Sequence, residues 1–189
     1  MNGQVKFPRG QGRPIAVGRA RAEQMRWKRN PNNEGMTESF SVDVSLMINT
    51  LDEFPEASGI EFCNGLNGKS FAPVMAAVTE EGKALAAFNS TSPISLEEFN
   101  NCRSQWKERY QNNPNVIQFF YLGEESIRQN IEDFDIIKYE ASFVEKASGE
   151  DSGLLFGYSA SMDKDPGDED PTTALNLAKL CPPLCGEEI

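Results

Sequence analysis

The residues from Phe120 to Met162 echo a stretch lying 80 positions earlier. Phe120, Leu122, Ile127, Ile131, Glu132, Asp133 and Phe134 fall on Phe40, Val42, Met47, Leu51, Asp52, Glu53 and Phe54, each keeping its chemical type. Upstream the offset changes by one residue, and Pro93, Ile94, Leu96, Trp106 and Lys107 meet Pro14, Ile15, Val17, Trp27 and Lys28. An Asn-Pro-Asn follows each Trp-Lys, at Asn30 to Asn32 and at Asn113 to Asn115, and downstream Ile60-Glu61-Phe62 aligns with Ile137-Lys138-Tyr139. Self-similarity at a fixed spacing decides architecture before any local signal does. The echo reads as a tandem duplication of a module of roughly 80 residues, and a lone module of that size would bury only about 60 to 65% of its unfolded surface. The two halves are therefore expected to lean on each other.

Charge is divided unevenly between the start of the chain and its body. Residues 1 to 31 hold Lys6, Arg9, Arg13, Arg19, Arg21, Arg26, Lys28 and Arg29 against Glu23 alone, a surplus of seven. The whole chain carries −11, so the remainder carries −18. A basic segment joined to an acidic body seeks an anion, which the body itself, a neighbouring copy or a nucleic acid would supply. No stretch approaches the roughly 18 apolar residues of a membrane span, and the first thirty residues lack the apolar centre of a signal peptide. The default expectation is a cytoplasmic protein.

Residues 1 to 13, rich in Gly, Pro, Gln and Arg, read as a basic flexible arm. Module 1 is expected over 14 to 90 and module 2 over 91 to 163, with an acidic linker and Cys-Pro-Pro-Leu-Cys tail over 164 to 189. A helix is expected from Ile15 to Arg29, a strand from Glu38 to Val42, and a helix from Val44 to Phe54 with Asp43 as its N-cap. Ile60 to Cys63 and Phe71 to Thr79 read as strands, and Lys83 to Phe88 as either a strand or a helical turn. Ser95 and Glu98 form a capping box with Ile94 and Phe99 as its staple, predicting a helix from Leu96 to about Gln111 that buries Leu96, Phe99, Trp106 and Tyr110. A strand over Val116 to Leu122, a helix over Glu124 to Phe134 and paired strands over Ile136 to Val144 and Leu154 to Met162 complete the second copy. Thr172 to Leu180 reads as a short helix. Each module is thus helix, strand, helix, strand, strand. The fold class is α+β, with small mixed sheets carrying helices on one face; if the first two strands of a module lie parallel in one sheet, the helix between them is a right-handed crossover.

The chain has no histidine, which removes the usual general base and the commonest metal ligand together. Carboxylate-only chemistry needs a pair of Asp or Glu residues, and no pair stands out. Asp163, Asp165, Asp168 and Asp170 alternate like calcium ligands, but Gly167 comes one position early and no closing Glu follows, so they read as a solvated acidic loop. Gly10 and Gly12 start no dinucleotide fingerprint, because Ile15 stands where its third glycine belongs and no strand is expected before them. A polyproline conformation at Pro182 and Pro183 would hold Cys181 and Cys185 about 12 Å apart, beyond disulfide reach without a turn at Leu184. Zinc would need Cys63 and Cys102 or carboxylates as further ligands, and those two cysteines read as core fillers. No cofactor and no metal are expected, and the Cys181 and Cys185 tail reads as a reduced docking segment. Trp27 among arginines suits base stacking, although its match with Trp106 favours core packing.

The Pro-Ile-Ser-Leu-Glu-Glu opening at Pro93, the helix with Trp106, the strand and helix through Phe134 and the C-terminal Cys-Pro-Pro-Leu-Cys resemble a group of small uncharacterised bacterial proteins with a one-module body and a Cys-Pro-Pro-X-Cys tail. The resemblance spans about Pro93 to Cys185 and implies a shared fold and a bacterial origin, without an activity. The leading expectation is a non-enzymatic protein that self-assembles, Arg9, Arg13, Arg19 and Arg21 of one subunit docking on the acidic loop at Asp165, Asp168 and Asp170 of the next. Nucleic-acid binding through the same arm and a carboxylate enzyme in a cleft between the modules are the alternatives.

Overall fold

The structure, a computed structural model, describes residues 6–31, 37, 39–111, 119–149, 151–159 and 171–177. Among the described residues, twelve strands and four helices follow in the order β1 (Arg13–Ile15), α1 (Val17–Arg29), β2 (Ser39–Val42), α2 (Val44–Glu53), β3 (Gly59–Cys63), β4 (Leu66–Asn67), β5 (Ser70–Phe71), β6 (Val74–Val78), β7 (Ala84–Phe88), β8 (Pro93–Ile94), α3 (Leu96–Arg109), β9 (Phe119–Gly123), α4 (Glu124–Phe134), β10 (Ile136–Glu145), β11 (Asp151–Ser159) and β12 (Thr173–Leu177). They form two five-stranded sheets, β1-β12-β11-β10-β2 and β8-β7-β6-β3-β9, with a small β4-β5 hairpin apart. Neighbouring strands are antiparallel throughout.

The α+β class holds, but the sheets are not mixed. β2 and β3 lie in different sheets, so α2 links one sheet to the other and no parallel crossover forms. The series β1, α1, β2, α2, β3, β6, β7 and the series β8, α3, β9, α4, β10, β11, β12 each send their first two strands to one sheet and their last three to the other. Exchanging counterparts turns one sheet order into the other. The registers agree as well. Val42 pairs with Tyr139 where Leu122 pairs with Ile60, and Ile15 pairs with Ala174 where Ile94 pairs with Ala87. This register moves one detail of the sequence alignment, because Ile60 corresponds to Tyr139 and not to Ile137. An irregularity between Ile136 and Lys138 shifts the alternation, leaving Ile137 60% exposed.

Alternation sorts the strand residues into three cores. Ile60, Phe62, Met75, Phe88, Phe120 and Leu122 from one sheet join Val42, Tyr139, Ala141, Phe143, Leu155 and Leu175 from the other in a shared core, to which Met47, Leu51 and Ile127 of α2 and α4 are added. The opposite face of the first sheet packs Val144, Leu154, Phe156 and Tyr158 against Ala20 of α1. That of the second packs Cys63, Val74, Ala76 and Tyr121 against Phe99 and Cys102 of α3. Each sheet therefore carries one long helix on one face.

The expected boundary near residue 90 separates no two bodies, since it falls between β7 and β8, which pair within one sheet. β12 likewise belongs to a sheet although 164 to 189 was expected to be linker and tail, and Thr173–Leu177 is a strand instead of part of a short helix. Its pairing with both β1 and β11 overrides the weak local helical preference. Ala84–Phe88 is a strand, and Leu96, expected inside, is 38% exposed.

Candidate interaction site

The N-cap of helix α4 is a glycine, Gly123, and no side chain caps the helix. The first amides of a helix need acceptors from elsewhere, and here main-chain carbonyls of two distant segments supply them. Gly123 N–H donates to Gln11 O at 2.7 Å, Glu124 N–H to Ser58 O at 2.8 Å and Glu125 N–H to Arg9 O at 3.1 Å. The Ser126 hydroxyl donates to Gly12 O at 3.3 Å. In α2 the Asp43 carboxylate does this work within its own segment, accepting from Leu46 N–H at 2.8 Å.

The segment from Phe7 to Gly12 is thus a strap across the start of α4 and the end of β9. Phe7 is its anchor, buried edge-on against Tyr121 with ring centroids 5.0 Å apart and stacked 6.3 Å from Phe119. Its N–H donates to Glu80 O at 2.9 Å, and the Tyr121 hydroxyl lies 3.0 Å from Phe7 O and 3.1 Å from Ser58 Oγ. Arg9 donates to Glu124 Oε2 at 2.7 Å and to Pro55 O at 2.8 Å. The absence of a side chain at Gly123 makes room for the strap, because a Cβ there would stand 2.0 Å from Arg9 O. Expecting a flexible arm over residues 1 to 13 misdescribes Phe7 to Gly12. Low apolar content argued for disorder, but one aromatic anchor and main-chain bonds hold the segment.

The predicted interaction residues part company. Arg9 faces Glu124, while Arg19 pairs with Glu23 of its own helix at 2.9 Å. Arg21 donates to Gln24 Oε1 at 2.9 Å and covers the Phe156 ring at 4.8 Å. Arg13 is exposed on β1, where it pairs across to Asn176. Asp165, Asp168, Asp170, Cys181 and Cys185 lie outside the described residues. Sequence reasoning missed Glu124 and Tyr121 as receivers. The one available signal was the glycine at the start of α4, where α2 has Asp43.

A second polar cluster lies beneath α3. Glu61 is 3% exposed, with Arg103 Nη2 3.2 Å from its Oε1. Burial raises the Glu61 carboxyl above its ordinary range, against the lowering influence of Arg103 and of a hydrogen bond with Cys63. Burial, and then the neighbouring Glu61, push the Cys63 thiol well up, which opposes the thiolate a nucleophile or metal ligand needs. Cys63 and Cys102 are free and buried, as core fillers should be. Among the described residues, no group of three Cys, Asp or Glu side chains is placed to hold a metal ion. An open surface hollow of ≈ 400 Å³ is lined by Leu66, Gly68, Gln105, Glu108, Arg109 and Gln111. Among the described residues of that lining, Glu108 is the one acid.

Among the described residues no helix is long and apolar enough to cross a membrane. Comparison with protein-family models, curated proteins and solved structures finds no match to the chain.

Proposed function

We propose that this is a non-enzymatic interaction protein that self-associates, its basic N-terminal region docking on the acidic body of a neighbouring copy. The observation that carries the reading is the seating of Arg9 against Glu124, a basic side chain from the N-terminal region on an acidic helix start. The receiver in this reading is the first turn of α4, with Glu124 and Glu125, in place of the loop at Asp165 to Asp170. The agreement of sheet order and register between the two series supports a tandem duplication as the origin of the fold, and with it an ancestor that paired with itself. Light scattering across a range of concentration and salt tests the reading. An oligomer free of nucleic acid that dissociates as salt rises is expected, and a monomer at every concentration would end it.

Exposed Arg13, Lys28 and Arg29 favour nucleic acid as the second reading. In that case a monomer would carry nucleic acid at low salt and shed it at high salt, visible in the ultraviolet absorbance ratio.

A further inference from the structure

The start of α4 and the end of β9 form a groove that the chain fills with its own Phe7 to Gly12 segment. We infer that it takes the Phe7 to Gly12 segment of a second copy, so that two chains exchange straps reciprocally and close a pair. The inference rests on the self-association proposed above and gives it a mechanism.

Four observations converge on it. The strap is held through features any second copy presents unchanged, namely Gln11 O and Arg9 O on the amides of Gly123 and Glu125, Phe7 against Tyr121, and Arg9 on Glu124. Main-chain recognition of an extended segment with one side-chain anchor is a recurring mode of peptide capture. The strap ends at Gly12, whose φ of +120° lies in the region that favours glycine, directly before β1 enters the other sheet. A pivot there lets the strap leave while β1 stays paired with β12. Charge also matches, since Arg9, the one charged residue of the strap, sits on Glu124 at the acidic start of α4. Finally, the fold already exchanges strands between its two series, β1 and β2 completing the sheet built on β10, β11 and β12. The strap immediately precedes β1 and docks beside β9, so swapping it between chains extends a pattern the fold already uses.

Reciprocal exchange satisfies both straps and both grooves, giving a closed pair instead of an open filament. A strap in its own groove has a high effective concentration, so exchange grows with protein concentration.

Two full-length variants test the idea by complementation. Gly123→Ala closes the groove, its methyl colliding with Arg9 O and C and with Gln11 N of the strap, while its own strap stays intact. Phe7→Ala/Arg9→Glu disables the strap and leaves the groove intact. Each alone should be monomeric at concentrations where the wild type pairs, and an equimolar mixture should form a 1:1 complex by light scattering. A mixture that stays monomeric while the wild type still pairs overturns strap exchange and moves self-association to another surface. A wild type that never pairs beside a mixture that does would show that the groove takes a second copy's strap only when its own is disabled, and would overturn both reciprocal exchange and the self-association reading. Should Gly123→Ala fail to fold by circular dichroism, a labelled peptide spanning Lys6 to Gly12 replaces it. Fluorescence anisotropy should show it binding the strap-disabled chain at least about ten-fold more tightly than the wild type, whose groove is filled. Equal or no binding to the two would overturn the inference.

Discussion

The Gln24 side-chain amide donates to Ser142 Oγ at 2.8 Å, a buried hydrogen bond between α1 and β10. The registers place Ser142 where Cys63 stands in the other sheet, and α1 sits over its sheet as α3 does over the second, where Arg103 reaches Glu61. A neutral pair thus occupies one sheet face and an ionic cluster the corresponding place on the other. Ser142→Ala should cost about 1–3 kcal/mol, because the buried Gln24 amide loses its acceptor. Replacing both, as Gln24→Leu/Ser142→Ala, should cost less than the two single effects added together. Urea titrations of the three variants measure the difference.

Glu61 gives the stability a pH dependence whose sign follows from burial. Its carboxyl is raised in the folded chain, so its contribution is fully present below the ordinary carboxyl value and is lost as pH rises through the raised one. Glu61→Gln should therefore gain on the wild type as pH increases from 4 toward 8, by about 1.4 kcal/mol for each unit of the shift. Arg103→Met, which strips the buried carboxylate of its partner, should cost about 3–5 kcal/mol at neutral pH. Chemical denaturation across that pH range checks both, and a Glu61→Gln difference flat with pH would refute the assignment.

Tyr121 and Tyr139 should stay protonated where ordinary tyrosines ionise. Burial raises both phenols, chiefly by desolvation. Tyr121 also lies against Ser58 and the strap carbonyls, and the Tyr139 hydroxyl donates to Asn130 Oδ1 at 2.8 Å. The stability these phenols supply is complete below the unfolded value near 10 and falls as pH climbs above it. Ultraviolet titration should show part of the tyrosine absorbance change only together with alkaline unfolding. Tyr121→Phe, which also frees the strap carbonyls, should lower stability by about 1 kcal/mol.

Local signals in the sequence were reliable where one segment carried the whole reason for its structure. Ser95 caps α3 by accepting from Glu98 N–H at 3.0 Å, and Asp43 caps α2 as its position implied. Tyr139, Ala141 and Phe143 do share one buried face. What stayed hidden depends on pairings between distant residues. β1 and β8 are too short to show a period, and β12 is a strand because β1 and β11 flank it. The strap was illegible because its acceptors are carbonyls, which every residue has, so only the missing side chain at Gly123 marked the place. The echo between the two stretches of sequence carries no sign that β2 and β3, or β9 and β10, belong to different sheets.

That dealing of strands makes a prediction about cutting the chain. Asn89 to Ser92 forms a side-chain-stabilised turn between β7 and β8, with Asn89 Oδ1 accepting from Thr91 N–H and Ser92 N–H, each at 2.9 Å. Thr91 and Ser92 are exposed there. A specific protease site inserted between Ser90 and Thr91 should be cleaved in the folded protein. If the two halves were separate bodies, the fragments would drift apart after the cut. Each sheet instead takes two strands from one half and three from the other, and the shared core draws on both. The fragments should therefore remain together at the mass of the intact chain in native light scattering and unfold in a single urea transition. That transition should come at lower denaturant and depend on concentration, since the cut turns an internal contact into an association. Two fragments migrating independently under native conditions would refute the exchanged topology.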